Sequence, residues 1–255
     1  MIVNGLIRRI AEYFWNYGAS DSWRAIYSLF ERNDGCVLLD LGCGDGSSTM
    51  LIAKYINASK VIGLELDDDR IKKAQEKGIV VYKADLNKKF PLDDESADVV
   101  FANQVIEHLI NIDNFVSEVY RVLKPSGYAV VSTENLASWH NIFALLLGNQ
   151  PYSGPCVNTK CVIGHHPLHP TVDRIYDPYL KHNTVLAYKA LKRVFQAYGF
   201  RVEKVIGSGY YPFPKSFARL FCRCDPSHAH FLTLKARKVI SGRSMGRGHK
   251  IPHSA

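Results

Sequence analysis

A short apolar run, Leu38-Leu39-Asp40-Leu41, leads straight into Gly42-Cys43-Gly44-Asp45-Gly46, and Ser47-Ser48-Thr49 follows at once. Strand, glycine turn and helix start are joined with nothing between them. Glycine reaches dihedrals closed to other residues and lets a ligand come close to the backbone. The first helical turn adds unsatisfied N–H groups and the positive end of a dipole. Such a junction predicts an α/β fold with a nucleotide-like ligand at the carboxyl end of the first parallel strand.

The spacing narrows the ligand. Dinucleotide folds carry Gly-x-Gly-x-x-Gly. Here the pattern is Gly42-x-Gly44-x-Gly46, with Asp40 two residues ahead. A carboxylate there suits a cationic, amino-acid-bearing ligand better than a pyrophosphate. The next apolar run, Lys60–Leu66, carries Glu65, placed where a carboxylate can accept both ribose hydroxyls. Dehydrogenases share that feature. A helix over 67–77 follows, acids first and lysines last, as the helix dipole favours. A third run, Ile79–Asp85, again ends in an acid, so Asp40, Glu65 and Asp85 fall at successive strand ends.

A fourth strand reads Ala97–Gln104. A helix is predicted from Val105-Ile106-Glu107-His108-Leu109 through Val119–Leu123, then Lys124-Pro125-Ser126-Gly127, then a fifth strand, Tyr128–Asn135. The acid-preceded Gly-x-Gly-x-Gly and the run FPLDDESADVVFANQVIEHL…VYRVLKPSGYAVVST together resemble the small-molecule branch of the class I S-adenosylmethionine-dependent methyltransferases, of the methyltransferase domain 11 type. The resemblance is strong over 36–136 and topological over 183–239. It implies a Rossmann-like α/β fold: a seven-stranded mixed sheet of order 3-2-1-4-5-7-6 with helices on both faces. Alternation of strands and helices points to crossover units independently. The resemblance also implies S-adenosylmethionine as cofactor, held by Asp40, Gly42, Cys43, Gly44, Asp45, Gly46, Glu65, Leu66, Asp85, Leu86, Asn103 and Gln104, with Asp85 near the adenine amino group.

Methyl transfer is an in-line displacement at a sulfonium carbon, and a hydroxyl acceptor must also lose a proton. His108, His140 and His182 are the candidate catalytic bases, each set against a plain structural role. Amine-directed nucleic-acid relatives carry Asn/Asp-Pro-Pro-aromatic after the fourth strand; Phe101-Ala102-Asn103-Gln104 departs from that and disfavours base-amine methylation. Thr133-Glu134-Asn135 stands where close relatives often have Thr-Pro-Asn, which puts an acid at the pocket rim.

Outside this core, residues 1–32 are expected to form two helices capping the cofactor mouth, with Trp15, Tyr17 and Trp23 either core or ligand-facing. The methyltransferase domain spans 33–239. Residues 136–183, with an amphipathic helix over 136–147 and then Pro, Gly and His, are expected to be a substrate lid. The lid holds Cys156, Cys161, His165, His166 and His169, but their spacing matches no recognised zinc pattern, and no metal is expected. A late helix over 185–198 and antiparallel strands over 200–210 and 230–239 complete the domain. The last strand is read as half-exposed from alternation of Leu232, Leu234 and Ala236 with Thr233, Lys235 and Arg237.

No run of the sequence approaches the roughly 20 apolar residues of a membrane span. The first residues lack a signal-peptide pattern, which predicts a cytoplasmic protein. Cys36 and Cys43 then act as reduced, small apolar residues. The net charge of +8 is lopsided. Residues 181–255 carry 15 Lys and Arg against 2 Asp and Glu, so +13 sits in the last part, and 240–255 is expected to be a disordered basic tail. That charge predicts a weak attraction to anionic surfaces. With no RNA-binding motif beside it, no specific nucleic-acid partner is expected; the oligomeric state is open. The expected substrate is a small molecule, glycan or lipid-linked intermediate. The alternatives are an RNA methyltransferase using the basic part, or a cofactor-binding module without catalysis.

Overall fold

The computed structural model describes residues 2–155 and 181–239. Seven strands form one sheet of order β3-β2-β1-β4-β5-β7-β6. They are β1 (Val37–Leu41), β2 (Lys60–Glu65), β3 (Val80–Lys83), β4 (Ala97–Asn103), β5 (Leu123–Glu134), β6 (Phe200–Ser208) and β7 (Phe231–Lys238). Strands β1 to β5 pair in parallel, and β7 runs antiparallel between β5 and β6. The strand order of this sheet is the one expected. The order reverses between β1 and β4, and at such a point a crevice opens beyond the carboxyl ends of the strands.

Adjacent strand residues face opposite sides of a sheet, so Leu38 and Leu39 feed two cores. On one side Leu39, Leu41, Val100, Val131 and Leu234 pack with α4 (Ile112–Val122) and α6 (Tyr188–Ala197) through Phe115, Val119, Leu191 and Phe195. On the other side Leu38, Val99, Phe101 and Val130 meet Ile26, Leu29 and Phe30 of the N-terminal segment, and Ile52 and Ile56 of α2 (Ser47–Ile56). Helix α3 (Asp68–Glu76) starts on Asp67, whose side chain accepts the Arg70 N–H at 2.9 Å.

Several boundaries differ from the sequence pattern. The N-terminal region is one helix, α1 (Ile2–Leu29), not two. Gly18, inside that helix, is a close-approach position: a Cβ there would strike the Tyr211 hydroxyl. The helix expected through Val105–Leu123 is split into a 3-10 turn, Ile106–His108, and α4. The Asn87 side-chain oxygen draws off the N–H groups of Ile110 and Asn111 at 2.8 and 3.0 Å, and Asn111 caps a fresh start by accepting from Asn114 N–H at 3.0 Å. Helices α5 (Trp139–Leu146) and α7 (Lys215–Cys224) complete the described set. Helix α7 was not expected, although Phe217, Leu220 and Phe221 have helical spacing after Pro214. The basic tail and the Cys156–His169 portion of the lid lie outside the described residues.

Strand β7 is buried along nearly its whole length rather than half-exposed. It lies between two strands, and its cations are covered by partners. Lys235 Nζ reaches Glu31 at 2.6 Å and Glu203 at 3.7 Å, and lies over the Tyr128 ring. Arg237 reaches the same two acids at 2.6 Å each, and Lys238 pairs with Glu95 at 3.2 Å. Part of the lopsided charge along the chain is thus matched across the fold. Glu31→Ala is expected to lower stability by about 0.5–1 kcal/mol, since Glu31 is half-exposed and Glu203 still serves both cations. Thermal melting at low salt checks this; an unchanged midpoint would deny the pair any net worth.

Candidate active site

The turn after β1 forms the floor of the crevice. Gly42, Gly44 and Gly46 have φ of 73°, 56° and 78°, the left-handed region that disfavours side chains. The three glycines serve different ends. A Cβ on Gly42 would lie 2.8 Å from a Val105 methyl, and one on Gly46 would lie 2.5 Å from Ile79 and 3.1 Å from the Ala74 backbone. Those two are glycine because protein packs on them. A Cβ on Gly44 would meet nothing within 4 Å. That open face is where a ligand can approach the backbone.

Glu65, at the end of β2, is buried beside it. One carboxylate oxygen accepts the Gly44 N–H at 2.8 Å; the other accepts those of Leu66 and Asp67 at 2.7 and 3.1 Å. Three bonds fix its orientation, and a carboxylate has about four acceptor sites. Asp40 is buried within β1 and accepts the Thr49 hydroxyl at 2.6 Å, tying the strand to α2. Burial pushes its carboxyl up to about 7, with Glu65 adding to the rise and Thr49 opposing it. Cys43 turns inward against Gly63; burial, with Asp40 and Glu65 nearby, pushes its thiol up to about 12. Asp45 is exposed, accepts from the Ser47 N–H and hydroxyl at 3.0 and 2.8 Å, and pairs with Lys77 at 3.2 Å. Asp85 lies past the end of β3 in a turn closed by the Asn87 N–H at 3.0 Å, with Leu66 half-exposed and Leu86 buried. Asn103 ends β4, and Gln104 takes φ 55° while its N–H reaches Ser132 O at 2.8 Å.

The structure brings two of the three candidate histidines together. His108 lies on the 3-10 turn, not inside a helix, and its ring is 5.0 Å from that of His182. Beside them lies Glu107, fully buried, whose Oε2 accepts the Thr133 hydroxyl at 2.9 Å. Burial pushes Glu107 up to about 7, against the pull of His182. His140 is elsewhere: its Nε2 lies 3.1 Å from His230 Nδ1, and its ring stacks near Tyr152. Glu134 is buried at the end of β5. Trp15 touches His230 and Phe231, whereas Tyr17 donates to Phe213 O at 2.8 Å and Trp23 packs on Phe101; the latter two serve the core. Sequence reasoning missed Glu107, Thr133 and His230. Adjacency of Glu107 to His108 was the available signal for the first. Among the described residues, Glu107, His108 and His182 are the group able to hold a metal ion.

A chemistry follows from the cradle. The floor admits a ligand at Gly44, the fixed carboxylate of Glu65 stands beside it at the end of β2, and a titratable cluster follows the end of β4. These features fit an adenosyl cofactor bearing an amino acid.

Known proteins agree. A family profile described as "Methyltransferase domain" matches residues 39–131. A probable S-adenosylmethionine-dependent methyltransferase of Mycolicibacterium smegmatis is 41% identical over 109 residues, 42% of this chain and 41% of that protein. The mitochondrial ubiquinone biosynthesis O-methyltransferase of Bos taurus is 26% identical over 188 residues, 70% of this chain and 45% of that one. The chain spans less than half the length of these curated relatives. An S-adenosylmethionine-dependent methyltransferase from Mesorhizobium loti shares the fold at TM-score 0.60 and 21% identity, over 85% of this chain and 97% of that one. Among the described residues no helix is long and apolar enough to cross a membrane. Residues 39–131 therefore form a methyltransferase domain of the class I family, whose cofactor is S-adenosylmethionine.

Proposed function

We propose that the chain transfers a methyl group from S-adenosylmethionine to an oxygen of a small or lipid-linked molecule. The observation that supports it most is the open backbone at Gly44 beside the fixed carboxylate of Glu65, with Glu107, His108 and His182 just past the end of β4. When bound, the cofactor supplies an electrophilic methyl on a positive sulfur. Glu65 would accept from the ribose hydroxyls and the Gly44 turn would seat the amino-acid part. Asp85 and Leu86 would flank the adenine, and Asn103 and Gln104 would close the cradle from β4. The Glu107–His108–His182 cluster would lie beside the acceptor hydroxyl and favour loss of its proton. A glycan would serve as well as a lipid-linked acceptor. Oxygen acceptors appear among the relatives: besides the ubiquinone enzyme, a malonyl-[acyl-carrier protein] O-methyltransferase of Marinomonas is 30% identical over 122 residues. The test is incubation with labelled methyl donor and fractionated cell extract. Label in an alkali-stable ether or an ester supports the reading. Label in RNA bases, or cofactor binding without transfer to any fraction, overturns it.

The buried Asp40 makes the empty cradle pH-sensitive. Its carboxyl is raised from 3.8 to about 7. The folded state therefore keeps a proton that the unfolded chain has lost, and stability is full below pH of about 4 and falls as pH rises toward 7. Asp40→Asn removes that fall. Between pH 5.5 and 6.5 the variant should gain roughly 1 kcal/mol on the parent without ligand. Parallel melting curves that keep a constant separation across this range would show that Asp40 does not titrate there.

A further inference from the structure

Glu107, His108 and His182 come from distant stretches of chain, and the backbone holds them together. The N–H groups of Asn183 and Thr184 donate to Glu107 O at 2.7 and 3.1 Å, and the Asn183 side chain donates to His108 O at 2.7 Å. Each of the three side chains offers one ligand atom, and these atoms lie within 4.8 Å of one another.

Their outer contacts have the form that metal ligands need. A ligating histidine usually gives its other ring N–H to a carbonyl or carboxylate, which fixes tautomer and aim. His108 Nδ1 lies 3.1 Å from Lys181 O, and His182 Nδ1 lies 3.1 Å from Ser153 O. A carbonyl only accepts, so each Nδ1 carries the hydrogen, and in the neutral ring the lone pair is on Nε2. Thr133 orients the carboxylate by donating to Glu107 Oε2. Glu107 Oε1 remains: it is sealed from solvent and has no hydrogen-bond partner among the described residues. A carboxylate oxygen left so is costly unless something cationic reaches it. His108 is only partly buried.

We propose that Glu107, His108 and His182 bind one divalent transition-metal ion. Two imidazoles and one carboxylate suit zinc, iron(II), cobalt(II) or manganese(II) better than calcium or magnesium, whose preferred ligands are all oxygen. Three protein ligands leave positions open, as in catalytic sites. An acceptor hydroxyl in such a position would be more acidic and would release its proton to water more readily. That last role rests on the proposed methyl transfer; the ion site does not.

The probe is cobalt(II), added to the full chain after chelator treatment, with visible absorption and calorimetry as readouts. One equivalent with the d–d bands of a low-coordinate nitrogen and oxygen site is expected. Glu107→Gln and His182→Gln should each weaken binding at least 10-fold. Thr133→Val, which leaves all three ligands in place, should weaken it by about 10- to 100-fold, so a reading survives if a ligand variant fails to fold. Cys156→Ser/Cys161→Ser should keep the equivalent. No uptake by the folded chain, uptake indifferent to Glu107, His182 and Thr133, or uptake lost with the two cysteines would each overturn the site. S-adenosylmethionine calorimetry on the same samples reads the cofactor assignment separately.

Discussion

Gly44→Val should fold and lose S-adenosylmethionine binding. The substitution adds three carbons where a Cβ meets nothing within 4 Å, so the folded protein has no group to displace. The backbone cost is that of a β-branched residue at φ 56°, of order 1–3 kcal/mol. The domain should survive that with a lower melting temperature. The ligand will not, because the added side chain fills the approach to the turn. We expect affinity to fall at least about 1000-fold, or roughly 4 kcal/mol. Gly46→Val is the contrast: its side chain would run into Ile79 and the Ala74 backbone, so it should harm folding itself. Calorimetry alongside a melting curve separates the two. Near-normal affinity in folded Gly44→Val would remove the cradle from the cofactor and with it the basis of the proposed function.

Glu65→Ala should weaken cofactor binding by about 1.5–3 kcal/mol, the range for hydrogen bonds to a charged group, or roughly 10- to 150-fold. Part of the loss would be the bonds to the ribose. Part would be disorder of the cradle, because the Gly44, Leu66 and Asp67 N–H groups all end on this carboxylate. Glu65→Asp separates these causes. It keeps the charge but falls short by one methylene, so an intermediate loss indicates that position matters as well as charge. An unchanged dissociation constant in folded Glu65→Ala would reject the ribose role.

The reach of the sequence depended on how local each determinant was. The order of elements and the position of the cradle follow from short-range signals: apolar runs of strand length, glycines at alternate positions, and acids where strands end. Each acts within a few residues, so the linear chain displays it. The purpose of each glycine does not. Gly42 and Gly46 are shaped by Val105 and by Ile79 and Ala74, and only Gly44 faces free space. The N-terminal region is decided the same way: it forms one helix where two were expected, and Gly18 inside it lies against Tyr211, a contact the local sequence does not display. Charge pairing is decided at larger scale. Within the +13 stretch, Lys235, Arg237 and Lys238 answer Glu31, Glu203 and Glu95, brought alongside by the sheet. The histidines show the division most plainly. His108, His140 and His182 are equal candidates along the chain. Tertiary packing pairs His108 with His182 around buried Glu107, and sends His140 to His230. Local propensity and patterning set by neighbours in sequence determined the sheet and the glycine turn. The Glu107–His108–His182 cluster is built from residues some 70 positions apart, and their meeting depends on where the segment after residue 181 docks, which no local signal encodes.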